Sequence, residues 1–377
     1  MIVSYSVQKN DLADYCGKIF EGMGLSKENA GSVVNSLIDA DLRNVSSHGV
    51  VRVSNYVNRL KNKGTVPNPC ITHLVETPTT VTIDGGNGLG AIASEYAVTL
   101  ARAKAKEVGI AVATVSNSNH YGTAAYWAIK LSGTDMVGLS CSNVEPLICV
   151  TGGASKGIGN NPVAYASPTR SFGHVCYDVA CSMMAGGKLF EYQMANKQLP
   201  EGCFLDSTGK PTTDPFAAHL MRPFGGHKGY GIAVMVEMLT SILSGGKFGT
   251  SMGSQYGILD KPNHISHFFL AMRIDAFRSL EEYLDDADGF VNYLHNLPKS
   301  EGTESIYYPG ELENRSKTAK LKDGILLRAQ LVDELVELGR ENGVPQHCEE
   351  FFRRNPVEVE GEEPVATPNR EQRGIFK

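Results

Sequence analysis

Three side chains near the N-terminus have the types and the spacing needed to handle a small organic acid. His48, Arg52 and Tyr56 lie four residues apart, so a helix would place them on one face. An imidazole exchanges a proton near neutral pH, and a guanidinium binds a carboxylate through two parallel hydrogen bonds. Together they could hold a 2-hydroxy acid and accept its hydroxyl proton. An ordinary solvated helix face is equally compatible with this stretch taken alone.

A second group of polar residues follows a predicted buried strand. The apolar run Ala111–Val115 leads through residues 117–119 to His120. In α/β proteins the carboxyl ends of strands are where binding sites form. His120 is therefore a candidate ligand contact or an alternative acid–base group. The competing interpretation is a loop histidine whose hydrogen bonds are satisfied by the backbone.

Two further segments could bind phosphate groups. Small residues follow a predicted strand at Asn160 and Asn161, where main-chain amides could approach an anion. The segment Gly225–Gly231 contains Lys228 and leads directly into a helix, which is an anion-binding arrangement. Asp178, at the end of another strand, could orient a histidine or could merely cap a turn.

One glycine-rich segment imitates a dinucleotide-binding fingerprint. Residues Gly86–Ala91 fit G-x-G-x-x-A after a strand, but the next strand is followed by Ser116 and residues 117–119. A Rossmann unit would have an acidic residue there to bind the ribose. We therefore interpret these glycines as turn and packing residues, with a Rossmann domain as the minority alternative.

The elements that must position these residues form an α/β pattern between helical chain ends. We expect an N-terminal helical segment over 1–66, an α/β domain over 67–275, helices over 276–345 that rejoin the N-terminal segment, and a Pro- and Glu-rich tail over 346–377. Strands are predicted at 79–83, 110–115, 137–141, 175–177 and 264–272. Helices are predicted from Ser26, at 47–60, 94–108, 230–243, 279–294 and 325–342.

Composition narrows the class of protein. The 377 residues carry a net charge of -6, with 42% hydrophobic residues, so a large core is expected and a basic nucleic-acid face is not. No apolar stretch is long enough for a membrane span, and the first residues lack the pattern of a signal peptide. The eight cysteines include no C-x-x-C pair. We expect a cytoplasmic protein without a metal site, a membrane partner or a nucleic-acid partner.

These stretches, in this order, resemble the type-2 malate/L-lactate dehydrogenase family, which includes malate, L-sulfolactate and ureidoglycolate dehydrogenases and related 2-oxo acid and imino acid reductases. The resemblance covers about residues 10–343. The matching segments are Ser47–Arg52, Asn117–Gly122, Asn161–Pro162, Asp178–Ser182, Leu199–Gly202, Asp206–Pro215, Lys228–Gly231 and Tyr308–Glu311.

The resemblance implies a fold with a mixed sheet that binds NAD or NADP without a Rossmann motif, with NAD slightly preferred. It also implies a homodimer whose active site draws on both subunits. His48 would be the acid–base group, supported by Ser47 and Asp178, and some family members are assigned their proton acceptor at the position of His120. Arg52 would bind the substrate carboxylate, with Tyr56 beside it. The implied cofactor contacts are His120, Asn160, Asn161, Asp178, Val179, Ala180, Lys228, Gly310, Glu311 and Leu312.

The expected activity is hydride transfer between the nicotinamide and C2 of a small 2-hydroxy or 2-oxo acid of the malate, lactate, sulfolactate or ureidoglycolate type. Reduction of a cyclic imino acid (C=N) is the alternative within the family. A catalytically silent ligand-binding protein of the same fold is a remote alternative. A metal-dependent hydrolase using His120, His264 and His267 is a third, although no carboxylate cluster accompanies these histidines.

Overall fold

The computed structural model describes residues 2–359. The helices are α1 (Lys9–Gly22), α2 (Lys27–Leu42), α3 (Val53–Lys61), α4 (Gly90–Val108), α5 (Ala124–Ser132), α6 (Gly186–Met194), α7 (His227–Glu237), α8 (Leu280–His295), α9 (Glu311–Asp323) and α10 (Ala329–Glu341). Short 3-10 helices lie at Ser46–His48, Val50–Arg52, Gly249–Ser251, Ile274–Ala276 and Gln346–Arg353, and a π-helical segment at Met238–Ile242 continues α7. Within residues 2–359, no helix combines the length and the apolar character that crossing a membrane requires.

The strands are mostly short. They are β1 (Ile2–Val7), β2 (Thr72–Glu76), β3 (Thr80–Asp84), β4 (Ile110–Ser118), β5 (Met136–Ser142), β6 (Ile148–Cys149), β7 (Lys156–Ile158), β8 (Val163–Pro168), β9 (His174–Val179), β10 (Phe204–Leu205), β11 (Pro211–Thr212), β12 (Leu220–Met221), β13 (Ile265–Arg273), β14 (Ile325–Arg328) and β15 (Pro356–Val359). The five strands predicted for the α/β domain are all present.

A seven-stranded sheet carries the site. Its order is β2-β3-β4-β13-β5-β8-β9, in which β3 and β4 are parallel and the other neighbouring pairs are antiparallel. A Rossmann domain has a parallel sheet, so the predicted mixed, non-Rossmann fold is confirmed. The strand predicted at 264–272 is β13, which lies in the middle of the sheet because its side chains are buried on both faces.

The glycines that imitate the dinucleotide fingerprint are turn and packing residues. Gly86 and Asn87 have φ of 59° and 55°, a region that favours glycine and asparagine. A Cβ at Gly90, the first residue of α4, would collide with the carbonyl oxygen of Asn119. The side-chain amide of Asn119 donates to the Gly88 carbonyl oxygen at 2.7 Å. This segment therefore packs tightly against the end of β4.

Elements from the two chain ends contact each other, and they include a three-stranded sheet as well as helices. Ser26 caps α2 through a 3.2 Å hydrogen bond from the Asn29 amide. β1, which the sequence did not indicate, lies between β14 and β15. α9 was also not predicted.

The C-terminal segment differs from the expected tail as far as Val359. Phe352 is completely buried, and its ring lies 4.9 Å from the ring of Tyr15 on α1. β15 then pairs with β1. A few apolar residues thus anchor this segment, although they are too few to give a periodic pattern in the sequence. The remainder of the predicted tail, residues 360–377, lies outside the described residues.

Candidate active site

The helix predicted from Ser47 to Leu60 is interrupted at its start. Two 3-10 turns, Ser46–His48 and Val50–Arg52, precede α3, and Gly49 between them has an extended ψ of -153°. Asp41, buried on α2, accepts a 2.8 Å hydrogen bond from the Val50 amide, and a Cβ at Gly49 would collide with its carboxylate. Asp41 therefore stabilises this turn through its contacts with Val50 and Gly49. His48 and Arg52 come together through this turn and do not share one helix face.

His48 is half-buried, and its neighbour Ser47 is exposed. The Ser47 hydroxyl lies 2.9 Å from His48 Nδ1, where it can donate or accept a hydrogen bond. Burial, assisted by the positive charge of Arg52, lowers the pKa of His48 to about 3. His48 is therefore a neutral imidazole at pH 7.

His120 lies next to His48, with 5.4 Å between the ring centroids. The Tyr56 hydroxyl on α3 lies 2.7 Å from His120 Nδ1, and the Gly122 amide donates to the same nitrogen at 3.4 Å. Because an amide can only donate, Nδ1 accepts, and neutral His120 carries its proton on Nε2. Burial lowers the pKa of His120 well below its usual value, with smaller contributions from His48 and Arg52.

Arg52 points into the same cluster, and two groups hold its guanidinium. Its Nε donates to the Ser47 carbonyl oxygen at 2.6 Å, and Nη1 donates to the hydroxyl of Tyr256. The guanidinium carbon lies 5.6 Å from the centre of the Tyr256 ring. The structure therefore brings His48, His120, Tyr56 and Arg52 together in one cluster.

Tyr256 and Arg59 are site residues that sequence reasoning missed. Tyr256 comes from the loop before β13, which carries no motif and lies 204 residues from Arg52. Arg59 is completely buried on α3, three residues beyond Tyr56. Because residues three apart on a helix lie on the same side, this spacing was a signal that could have identified Arg59 from the sequence. Only the fold shows that both residues belong here.

Asp178 lies at the end of β9. It is exposed, and its carboxylate accepts a 2.8 Å hydrogen bond from the Ala125 amide at the start of α5. The protein around the cleft raises the pKa of Asp178 to about 6, and the Ala125 hydrogen bond opposes this effect. Within residues 2–359, no hydrogen bond joins Asp178 to either histidine, so the predicted orienting role stays a prediction. Val179 and Ala180 follow it, both half-buried.

Asn161 has an internal role. It is completely buried, and its amide nitrogen donates to Glu237 Oε2 at 2.8 Å and to the Ala233 carbonyl oxygen at 2.9 Å. Its side-chain oxygen accepts from the Val144 amide. The Asn161 side chain therefore attaches α7 to the sheet. The predicted cofactor contact of this residue would be made by its main chain. The Asn160 carbonyl oxygen accepts from the Cys181 amide at 2.7 Å.

The start of α7 lies beside the segment that follows β9. The Phe224 amide donates to the Cys181 carbonyl oxygen at 2.9 Å, which brings Gly225, Gly226 and Lys228 next to that segment. Gly226, the residue before α7, has a φ of 62°, and space for a Cβ is open on its surface. Lys228 is exposed. Main-chain amides at this helix end, together with a lysine, suit the phosphates of a nucleotide.

The segment 308–312 lies against the outer edge of β9. The Cys176 amide donates to the Pro309 carbonyl oxygen, and Gly310 has a φ of 91° at a point where a Cβ would lie 2.9 Å from the Cys176 carbonyl oxygen. The Glu311 carboxylate is buried and binds Arg315 and, at 2.8 Å, His295. The Glu311 side chain is thus bound to residues of its own chain, whereas Leu312 is 54% exposed and can contact a ligand.

The histidines of the hydrolase alternative do not form a metal site. His267 is completely buried, with Nδ1 2.9 Å from the Ser142 hydroxyl and Nε2 3.0 Å from the Ser118 hydroxyl. The ring of Tyr121 stacks on it at 4.5 Å. In the part of the chain that the structure describes, no three His, Cys, Asp or Glu side chains are grouped to hold a metal ion. His267 therefore has a structural role in the core of the sheet.

The fold and the site together define a mixed-sheet α/β protein with two neutral histidines and a fixed arginine at one end of a cleft. Residues 7–336 match the sequence model of the malate/L-lactate dehydrogenase family. The chain belongs to this family, and it is therefore an oxidoreductase of the dehydrogenase type.

Individual relatives agree with this assignment. Malate dehydrogenase of Pyrococcus abyssi is 34% identical over 348 residues, covering 90% of this chain and 95% of its own length. Ureidoglycolate dehydrogenase (NAD(+)) of Escherichia coli K12 is 30% identical over 315 residues, covering 83% and 89%. The solved structure of sulfolactate dehydrogenase from Methanocaldococcus jannaschii is 33% identical with a TM-score of 0.85, covering 92% of this chain and 99% of that one.

Proposed function

We propose that this protein is an NAD(P)-dependent dehydrogenase that transfers a hydride between the nicotinamide and C2 of a small 2-hydroxy or 2-oxo acid. The observation that carries the proposal is the convergence of His48, His120 and Arg52 in one cleft, with ring centroids of the histidines 5.4 Å apart. These are a base, a hydrogen-bond donor and a carboxylate-binding group, which are the groups that such a substrate requires.

The proton chemistry is assigned from the hydrogen bonds of the two rings. If Ser47 accepts from Nδ1–H of His48, then Nε2 of His48 has a free lone pair and can take the hydroxyl proton in the oxidation direction. His120 carries its proton on Nε2 and donates a hydrogen bond to the same substrate oxygen. Both pKa values are lowered by burial, so both rings are neutral at pH 7. We therefore assign proton acceptance to His48.

Arg52 binds the substrate carboxylate in this proposal. Two of its five N–H groups are taken by the Ser47 carbonyl oxygen and the Tyr256 hydroxyl, which leaves three for the ligand. A guanidinium held at both flanks loses little conformational freedom when it binds. Tyr56, through its contact with His120, lines the same pocket.

The cofactor side of the proposal rests on the end of β9 and the start of α7. When bound, a nicotinamide nucleotide supplies or accepts the hydride. Lys228 and the first amides of α7 would hold its phosphates, and the segment 310–312 would contact it from the edge of β9. The Ser182 hydroxyl is buried without a hydrogen-bond partner among the described residues, so a polar ligand group at this position would satisfy it. Asp178, at the end of β9, is the proposed group whose negative charge would stabilise the His48 imidazolium.

We further propose that a second copy of the chain completes the cleft. An apolar strip continues from α7, next to the proposed phosphate site, and its residues are 37% to 58% exposed. The strip consists of Val234, Met235, Met238, Ile242 and Leu243. A contiguous apolar surface of this kind is typical of an interface between proteins.

The substrate is tested by a spectrophotometric screen with NADH and NADPH. The 2-oxo acids are oxaloacetate, pyruvate and sulfopyruvate, ureidoglycolate is tested in the oxidation direction, and a cyclic imino acid forms a separate arm. We expect turnover of at least one acid, unaffected by EDTA. Turnover of the cyclic imine alone would replace the proposal by C=N reduction, and loss of activity in EDTA would point to a metal. No turnover of any substrate with either nucleotide would refute the proposal.

A further inference from the structure

The segment 308–312, which would contact the nucleotide in the proposed function, lies directly on the main chain around β9. The Cys176 amide of β9 donates to the Pro309 carbonyl oxygen at 2.9 Å. The Tyr308 hydroxyl donates to the Phe172 carbonyl oxygen in the turn between β8 and β9. These contacts set where the segment begins, but they leave its conformation beyond Pro309 to other groups.

One buried carboxylate of this segment joins it to α8. Glu311 Oε2 accepts from the Tyr308 amide at 3.2 Å and lies 2.8 Å from Nε2 of His295, the last residue of α8, while Oε1 accepts from Arg315. Burial acts to raise the pKa of Glu311, but its hydrogen bonds outweigh burial and hold this pKa below its usual value. The carboxyl is therefore ionised at pH 7. Because a carboxylate can only accept, Nε2 of His295 carries a proton and donates.

The imidazole of His295 is packed between two aromatic rings. Its ring centroid lies 5.8 Å from that of Phe172 and 5.9 Å from that of Tyr308. The His295 side chain is only 25% exposed. Because Phe172 and Tyr308 also bind each other, these three side chains form one compact group. The N–H that meets Glu311 is thus held in place by packing before any ligand binds.

The body of α9 is attached to the protein independently of His295. The Ser316 hydroxyl donates to the Leu42 carbonyl oxygen at the end of α2 at 2.9 Å. Lys320 donates to the Asp41 carbonyl oxygen of the same helix at 2.8 Å. Loss of the His295 contact should therefore release the segment before α9 without displacing the helix itself.

We propose that His295 is a positioning residue for nucleotide binding, which acts through Glu311 to hold the segment 308–312 in its binding conformation. The inference rests on the proposed function, because it requires that this segment contacts a nicotinamide nucleotide. His295 makes no contact with the nucleotide in this proposal. Without its hydrogen bond the segment becomes ordered only when the nucleotide binds, and the cost of that ordering lowers the affinity.

The test compares two substitutions of similar length. His295→Met removes the N–H donor, whereas His295→Gln keeps a donor for Glu311. We expect His295→Met to raise the dissociation constant of NADH or NADPH, measured by fluorescence, by about fivefold to 30-fold, because a hydrogen bond to a charged group is lost. His295→Gln should bind the nucleotide within about threefold of the wild type. In both variants kcat at saturating nucleotide and KM for the 2-oxo acid should change by less than about threefold, because His48, Arg52 and His120 are untouched.

Hydrogen exchange of the nucleotide-free protein supplies a readout that does not depend on activity. In His295→Met, peptides covering 308–312 should exchange about fivefold to 30-fold faster, while the later turns of α9 stay protected. Tyr293→Met, which alters an exposed residue of the same helix, is the matched control and should match the wild type in both measurements.

Three results would overturn the positioning role of His295 alone. These are an unchanged affinity in His295→Met, an equal loss of affinity in His295→Gln, and a His295→Met protein that does not fold, since the last would show that His295 supports the whole fold. A wild type that binds neither NADH nor NADPH would instead remove the proposed function, and this inference with it.

Discussion

The two ends of the cleft are built in different ways. At the histidine end, which comprises His48, Arg52, Tyr56, His120 and Tyr256, the polar side chains bind one another within a single chain. At the glycine end, which comprises Asp178, 225–228 and 310–312, the groups offered are largely main-chain atoms, an exposed carboxylate and an exposed lysine. The groups of the first end are held by one another, whereas the second end presents polar groups that are exposed.

Under the proposed function, this contrast matches what each end would recognise. Proton transfer depends on distances within tenths of an ångström, so its groups are held by packing and hydrogen bonds before the substrate arrives. A nucleotide brings its own large surface, and binding it requires exposed amides and a cation around the phosphates. The histidine end should therefore depend on individual side chains, and the glycine end on assembly and on ionic conditions.

The largest expected effect comes from removing the proposed proton acceptor. His48→Gln should lower kcat by about 10²-fold to 10⁴-fold, the usual contribution of general acid–base catalysis. NADH binding, measured by fluorescence, should stay unchanged because the glycine end is intact. His73→Gln, at an exposed site on β2, is the control. If the His48 variant kept its activity while His120→Gln lost it, proton acceptance would move to His120.

The next effect concerns the apolar strip beside α7. Met238→Glu combined with Leu243→Glu should convert a dimer to a monomer in light scattering and lower kcat/KM by about 100-fold, because the glycine end would be left incomplete. The far-UV circular dichroism spectrum should not change. Phe277→Glu alters a more exposed apolar residue elsewhere and should leave both properties as they are. A wild type that is monomeric and fully active would contradict the two-chain site.

Replacing Asp41 should have an intermediate effect, on the free energy of unfolding, and this effect is specific to the histidine end. Burial raises its pKa to about 7, so the folded state favours the protonated carboxyl. This stabilisation is complete below the ordinary value of 3.8 and is lost as the pH rises through 7. Asp41→Asn keeps an acceptor for the Val50 amide and has no ionisation to suppress.

Urea unfolding at pH 5 and pH 8 measures this difference. The wild type should lose on the order of 2 kcal/mol more unfolding free energy between the two pH values than Asp41→Asn does. Asp323→Asn, at the end of α9, serves as the control and should retain the pH dependence of the wild type. Identical pH dependence in the wild type and Asp41→Asn would show that the carboxyl beneath the turn ionises normally.

The smallest effect is expected for the exposed lysine of the glycine end. Lys228→Gln should raise the dissociation constant of the nucleotide by about twofold to fivefold, since an exposed ion pair is worth up to about 1 kcal/mol. The effect should shrink at high salt because the charge is screened. Lys106→Gln, on α4, is the control. A salt-independent loss would mean that Lys228 supports the fold instead of binding phosphate.

Some elements of this fold could be predicted from the sequence and others could not. Strong local patterns gave the helices α2, α4 and α8 and the strands β3, β4 and β5, because buried periodicity and capping residues such as Ser26 act over a few positions. β1 and β15 were missed because their pairing joins the two ends of the chain. The helix predicted from residue 47 was broken because Asp41, a residue of the preceding helix, binds the turn from below.

The order of motifs along the chain by itself indicated the family and the non-Rossmann sheet, and it named His48, Arg52 and His120 as candidate site residues. Tertiary structure alone decided that Tyr256 flanks Arg52, that Asn161 binds α7, and that Asp178 accepts from the amide at the start of α5. The physical reason is the range of the interactions. Side-chain types and spacing are local properties, whereas these contacts join segments that meet only when the sheet and the loop before β13 have formed.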